Sequence, residues 1–137
     1  MKVLFDTNVY VAEALLGESA EAMIAATARA SWRIFISDYV LDEIQRVLTD
    51  DLGFSARLAQ LTQQRCSRRA ICVRELPSRH QVPGDRADSP ILRAALEAGA
   101  DCLVTNDQHL LELDPYEGLR IVSMSAYHQL LTNEGLI

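Results

Sequence analysis

Five short, largely apolar stretches separated by helix-patterned segments leave this chain few folds. They are residues 1–5, Trp32 to Ile36, Ala70 to Val73, Cys102 to Val104 and Leu119 to Val122. Strands this short and apolar suit a sheet covered on both faces, and helical crossovers between them make neighbouring strands parallel. In the second stretch Ile34 and Ile36 fall on one face and Phe35 on the other. The expected fold is α/β: a three-layer α/β/α sandwich with a central parallel sheet of about five strands. At 137 residues the chain reads as a single domain spanning 1–137, built on one layered core.

The helices carry their own start and stop signals. Val9 to Leu16 reads as a helix that stops at Gly17, and Ser19 is placed to cap a second over Ala20 to Ala30. Ser37 caps a helix beginning at Asp38 and reaching Leu48, whose residues Val40, Leu41, Ile44, Val47 and Leu48 form one apolar stripe. At about 100° per residue, Asp42 lies opposite that stripe, while Glu43 lies on its flank and can turn toward a pocket. Asp50-Asp51-Leu52-Gly53 breaks the helix, and Ser55 starts another through Arg57 to Ser67. A polar loop, Pro77 to Arg86, follows the third strand. Asp88-Ser89-Pro90 then opens a helix over Ile91 to Ala98 that ends at Gly99. A helical turn over His109 to Leu113 and a helix over Ser125 to Leu131 complete the order.

Two strands deliver carboxylates as they end. The first runs into Asp6-Thr7-Asn8, and the fourth into Thr105-Asn106-Asp107. Ligands of open parallel sheets bind beyond the carboxyl ends of the strands, so both acids fall where chemistry is done. Thr7 and Asn8 are short polar residues suited to capping the next helix and to orienting Asp6. Asp6 is also a good helix cap, as is Asp88, and a capping carboxylate can still face a cation.

Composition narrows the chemistry. No apolar run is long enough to span a bilayer, and Asp6 interrupts the N-terminal run too early for a signal peptide, so a cytoplasmic protein is expected. Cys66, Cys72 and Cys102 show no C-x-x-C spacing and read as buried thiols in a reducing compartment. Net charge is −6, which argues against simple backbone binding to nucleic acid, but the arginines are concentrated. Arg65, Arg68, Arg69, Arg74, Arg79 and Arg86 share a stretch whose only acids are Glu75 and Asp85. Arg presents a planar fork that matches phosphate, so Arg65, Arg68, Arg69 and Arg86 are candidate RNA contacts. The alternative for them is a solvated face or a protein partner.

Four carboxylates, Asp6, Glu43, Asp88 and Asp107, thus have reason to converge. Like charges gathered in one pocket repel and hold one another's protons. Lys2 is the sole lysine and lies at the wrong end of its strand to compensate. A hard divalent cation, Mg²⁺ or Mn²⁺, takes oxygen ligands and keeps positions open for phosphate, which suits phosphodiester hydrolysis.

The chain resembles the PIN-domain ribonucleases found as VapC-like toxins of bacterial and archaeal toxin–antitoxin pairs. The matching pieces are VLFDTNVYV, ISDYVLDEI, GDRADSPILRAALEAGADCLVTND, QHLL and the tail LRIVSMSAYHQLL, in the family's order over almost the whole chain. The resemblance implies catalytic and metal-holding roles for Asp6, Glu43, Asp88 and Asp107, with one or two Mg²⁺ or Mn²⁺ ions. It implies assisting roles for Thr7, Asn8, Ser37 and Thr105, and makes Asp85 a possible aid or replacement for Asp88. It also implies an RNA substrate, a small antitoxin partner and a homodimer. Asn106 stands where many relatives carry a smaller residue, which bears on the loop holding Asp107.

Other readings fit less well. A receiver-like phospho-acceptor or a haloacid-dehalogenase-like phosphatase requires a later lysine, and the latter an acid where Asn8 stands. A nucleotide switch requires a Gly-rich loop ending in Lys. The remaining alternative is a catalytically silent PIN-fold protein that binds RNA or a partner.

Overall fold

The computed structural model describes residues 1–74 and 89–137. Asp85, Arg86 and Asp88, with the whole expected loop Pro77 to Arg86, lie outside the described residues. The described strands are β1 (Lys2–Phe5), β2 (Arg33–Ser37), β3 (Ile71–Val73), β4 (Cys102–Val104) and β5 (Arg120–Val122). They form one parallel sheet in the order β3-β2-β1-β4-β5. The described helices are α1 (Thr7–Ala14), α2 (Glu18–Arg29), α3 (Asp38–Arg46), α4 (Ala56–Arg68), α5 (Ser89–Glu97), α6 (Gln108–Leu111) and α7 (Met124–Asn133). This is the expected three-layer α/β/α sandwich with five parallel strands.

The topology decides where a ligand belongs. From β1 the chain works outward through β2 to β3, then returns to the other side of β1 for β4 and β5. Right-handed crossovers running in opposite directions from β1 place helices on opposite faces. Strand order therefore reverses between β1 and β4, and a crevice opens beyond their carboxyl ends. Leu4 lies level with Phe35 of β2 and Leu103 of β4, so β1 is the centre of the sheet. Val3, Leu4 and Phe5 are fully buried, which is why this strand has no polar face. Phe5 meets Tyr10 of α1 and Tyr127 of α7 edge-on, with ring centroids 6.0 and 5.6 Å away. The Tyr127 hydroxyl shares a 2.5 Å hydrogen bond with Thr27, pinning α7 to α2.

Most caps follow the sequence signals. Ser37 accepts from the Val40 amide and Ser55 from the Leu58 amide, each at 3.1 Å. Helix α2 departs from expectation: it begins at Glu18 with Gly17 at the cap position, so Ser19 lies inside its first turn. The α1–α2 turn is too tight for a side chain there, since a Cβ on Gly17 would come within 2.5 Å of the Ala12 carbonyl oxygen. Helix α3 ends its α geometry at Arg46 and continues as a π-helical turn, Val47–Asp51, before the chain turns at Gly53 with φ +71°. The three cysteines are free, as expected, but Cys72 is exposed because β3 is an edge strand. Among the described residues no helix is long and apolar enough to cross a membrane.

Candidate active site

Asp6 stands at the reversal point. It is the first residue past β1, in extended conformation, and its amide donates to the Val104 carbonyl at 2.9 Å, which continues the β1–β4 pairing. One carboxylate oxygen accepts from the Thr7 amide at 2.6 Å, so Asp6 does cap α1. The other accepts from the Thr105 hydroxyl, also at 2.6 Å. The two oxygens thus have separate partners, one at the start of α1 and one just past β4. Asp6 is only 4% exposed. Burial pushes its carboxyl up to about 6; the Thr105 and Thr7 hydrogen bonds oppose that shift, and the charges of Glu43 and Asp107 add to it.

Thr105 joins the two strand ends. It is fully buried, donates to Asp6 and accepts from the Asp107 amide at 3.0 Å. Asp107 caps α6, with one carboxylate oxygen accepting from the His109 amide at 2.8 Å and the Leu110 amide at 3.4 Å. Asn106, the departure from the family pattern, accepts from the Met124 amide at 3.1 Å and ties the Asp107 loop to the start of α7. Glu43 arrives from α3. The Thr7 hydroxyl donates to it at 3.2 Å, and Arg46 pairs with its second oxygen at 2.9 Å. Asp42, its neighbour, is exposed, as the stripe geometry requires.

These groups share one cleft of about 310 Å³. Asp6, Thr7, Asn8, Glu43 and Asp107 supply its polar lining, and Val11, Tyr39, Val47 and Ile91 its apolar walls. Asp6, Glu43 and Asp107 therefore line one cleft despite their separation in sequence. Asp88 and Asp85 lie outside the described residues. Ser37 is fully buried under α3 and spends its hydroxyl on the cap. The walls were not singled out from the sequence. Their signal was present in part, since Tyr39, Glu43 and Val47 are spaced four apart on one helix.

The donor set is made of hard oxygens, the kind that hold Mg²⁺ or Mn²⁺. Among the described residues no basic side chain pairs with Asp6 or Asp107. Lys2 is at the opposite end of β1, beside Gly99. A buried carboxylate with no cationic partner among the described residues, sharing a cleft with two further acids, fits a divalent ion. Among the described residues no three acidic, His or Cys groups are already gathered as a ready-made metal cluster.

The arginine segment is divided by its environment. Glu13, buried on α1, accepts from both terminal nitrogens of Arg69 at 2.7 Å and from Arg65 at 3.3 Å. The hydrogen bond to Glu13 holds the Arg69 guanidinium above its usual range. Arg69 is thus committed to fastening the end of α4 onto α1, which revises the expectation that its fork faces RNA. Glu13 carried no signal in the sequence beyond its place on a helix. Arg68 is exposed on the rim of a second cleft, beside Asp38, Asp42 and Gln64, and forms no ion pair among the described residues. Arg86 lies outside the described residues.

Comparison with known proteins places this geometry. The sequence profile of the PIN domain matches residues 2–109. Among solved structures, the chain is similar to the one described as VapBC2 from Rickettsia felis bound to a DNA fragment from their promoter. The TM-score is 0.66 at 19% identity, covering 90% of this chain and 98% of that one, which is a likeness of fold. No curated protein matches at a significant level.

Proposed function

The chain belongs to the PIN domain family, and from that premise we propose that it is a divalent-metal-dependent endoribonuclease, the toxin of a type II toxin–antitoxin pair. The observation that carries the reading is Asp6: a buried carboxylate at the strand-order reversal, facing Glu43 and Asp107 in a cleft lined by oxygen donors. Asp6, Glu43, Asp107 and Asp88 would hold one or two Mg²⁺ or Mn²⁺ ions, with Asp85 assisting. Such an ion lowers the pKa of water and neutralises charge on a phosphoryl oxygen, which is what phosphodiester hydrolysis needs.

The chain's own residues prepare that chemistry. Thr105 keeps Asp6 oriented and opposes the effect of burial, so the carboxyl is largely ionised at neutral pH. Thr7 orients Glu43 toward Asp6. Asn8 is exposed in the same cleft and is placed to donate to a substrate oxygen. Arg68, with Arg65 and Arg86, would hold backbone phosphates on either side of the cut. An antitoxin partner, a homodimer and a cytoplasmic location belong to the same proposal. The solved VapBC2 likeness supports the partner by its fold.

The second reading is a silent PIN fold that only binds RNA or a partner. Incubation of a pool of short RNAs with Mn²⁺ separates the two. Cleavage by the wild-type protein that falls by about a hundredfold or more in Asp6→Asn supports the enzyme. Equal cleavage by both proteins would remove that support.

A further inference from the structure

We propose that Arg46 is a substrate-binding residue, whose guanidinium on the lip of the cleft takes an oxygen of the phosphate group that enters beside Glu43. The inference rests on the nuclease reading above. It goes further by adding a cation to a cleft whose lining, among the described residues, holds no basic side chain.

Arg46 is the last residue of α3, directly before the π-helical turn. Three carboxylates stand within four residues of it: Asp42, Glu43 and Asp50. Neighbours three and four apart share a helix face, so each is within ordinary reach of its side chain. Asp42 and Asp50 are exposed and form no ion pair among the described residues, yet the guanidinium turns to Glu43 at 2.9 Å. Arg46 therefore leans toward the cleft that Glu43 lines, not along the solvent face of α3. One terminal nitrogen is engaged among the described residues, and the side chain is 55% exposed. A guanidinium carries five N–H donors in a rigid fork, so the others stay available to an incoming acceptor. An exposed pair of this kind contributes little to stability, so sharing it costs little. Charge gives it a role instead. Asp6, Glu43 and Asp107 bring three carboxylates to the cleft, and one divalent ion offsets two of those charges. A phosphodiester would still approach a negative site. Arg46 supplies the missing positive charge at the rim, where its fork can keep one N–H on Glu43 and give another to phosphate.

The test uses a short RNA in which one phosphate at a time is replaced by an uncharged methylphosphonate, with Ca²⁺ as the only divalent ion and binding read by fluorescence anisotropy. For the wild-type protein, replacement at one position or more should cost about tenfold in affinity. Arg46→Gln should bind the unmodified RNA about tenfold more weakly, with a salt slope lower by about one, and should lose its sensitivity at one such position. Arg46→Lys should keep the salt slope. Calorimetric titration with Mn²⁺ separates this role from mere support of Glu43. Arg46→Gln should bind the ion as well as wild type or more tightly, because a neighbouring positive charge has gone. Weaker Mn²⁺ binding by a folded Arg46→Gln protein would make Arg46 a prop for Glu43 and overturn the inference. Equal losses in both proteins at every position would also overturn it, and a wild-type scan in which no position matters would do so without recourse to a variant. A position whose loss depends on residue 46, found without Mn²⁺-dependent cleavage, would leave the phosphate contact standing and remove the nuclease reading. Cleavage with a featureless scan would do the reverse.

Discussion

Replacing Glu13 by Gln probes the least exposed ion pair described in the molecule. The Glu13 side chain is 4% exposed and receives both arms of Arg69, itself 25% exposed, at 2.7 Å. Gln keeps the shape and one acceptor but removes the charge, leaving a half-buried guanidinium without its counterion. Breaking a buried pair from one side costs about 3–5 kcal/mol. Partial exposure of Arg69 lowers that, and Arg65, 55% exposed, adds little. The expected loss is about 2–3 kcal/mol, which for a domain of this size lowers Tm by roughly 10 °C. Urea denaturation and thermal melting measure it directly. The double variant Glu13→Leu with Arg69→Met should lose less than the two single changes summed, because it leaves no stranded charge. RNA binding completes the argument: Arg69→Ala should lower stability and leave the salt dependence of binding unchanged. A Glu13→Gln protein within about 0.5 kcal/mol of wild type would refute this account of the pair. A salt slope reduced by about one in Arg69→Ala would return Arg69 to the RNA surface.

Three further outcomes follow from the cleft. In chelator, Asp6 holds its proton more tightly when folded (about 6) than its ordinary carboxyl value of 3.8, so its contribution is fully present below pH 4 and is lost as pH rises through 6. That loss is about 3 kcal/mol, and urea midpoints from pH 4 to 8 should show it as a difference between wild type and Asp6→Asn; a constant difference would contradict it. Thr105→Val removes the Asp6 hydrogen bond and the acceptor of the Asp107 amide, so it should destabilise the protein by about 1–3 kcal/mol and weaken Mn²⁺ binding; denaturation and calorimetric titration would reveal both. Asp107→Asn keeps an α6 cap but removes one of three repelling charges; it should weaken Mn²⁺ binding and raise Tm in chelator, and unchanged metal affinity would count against Asp107 as a ligand.

Strand and helix identity and the parallel sheet were legible in the sequence because each is written in local pattern. An apolar run that stops at a carboxylate marks both a buried strand and the place where it surfaces, and Ser37 and Ser55 mark helix starts by their own hydroxyls. The flank position of Glu43 on α3 followed from helical periodicity alone. Tertiary structure decided what no local pattern holds. Gly17 displaced Ser19 as the start of α2 because of a carbonyl five residues back in a tight turn. Arg69 left the expected RNA surface for Glu13, 56 residues away, and Thr105 joined Asp6 to the Asp107 loop across 99 residues. The physical reason is range: hydrophobic period and capping act within a turn or two of chain, whereas a buried charge takes whichever partner the packed helices bring within hydrogen-bond reach.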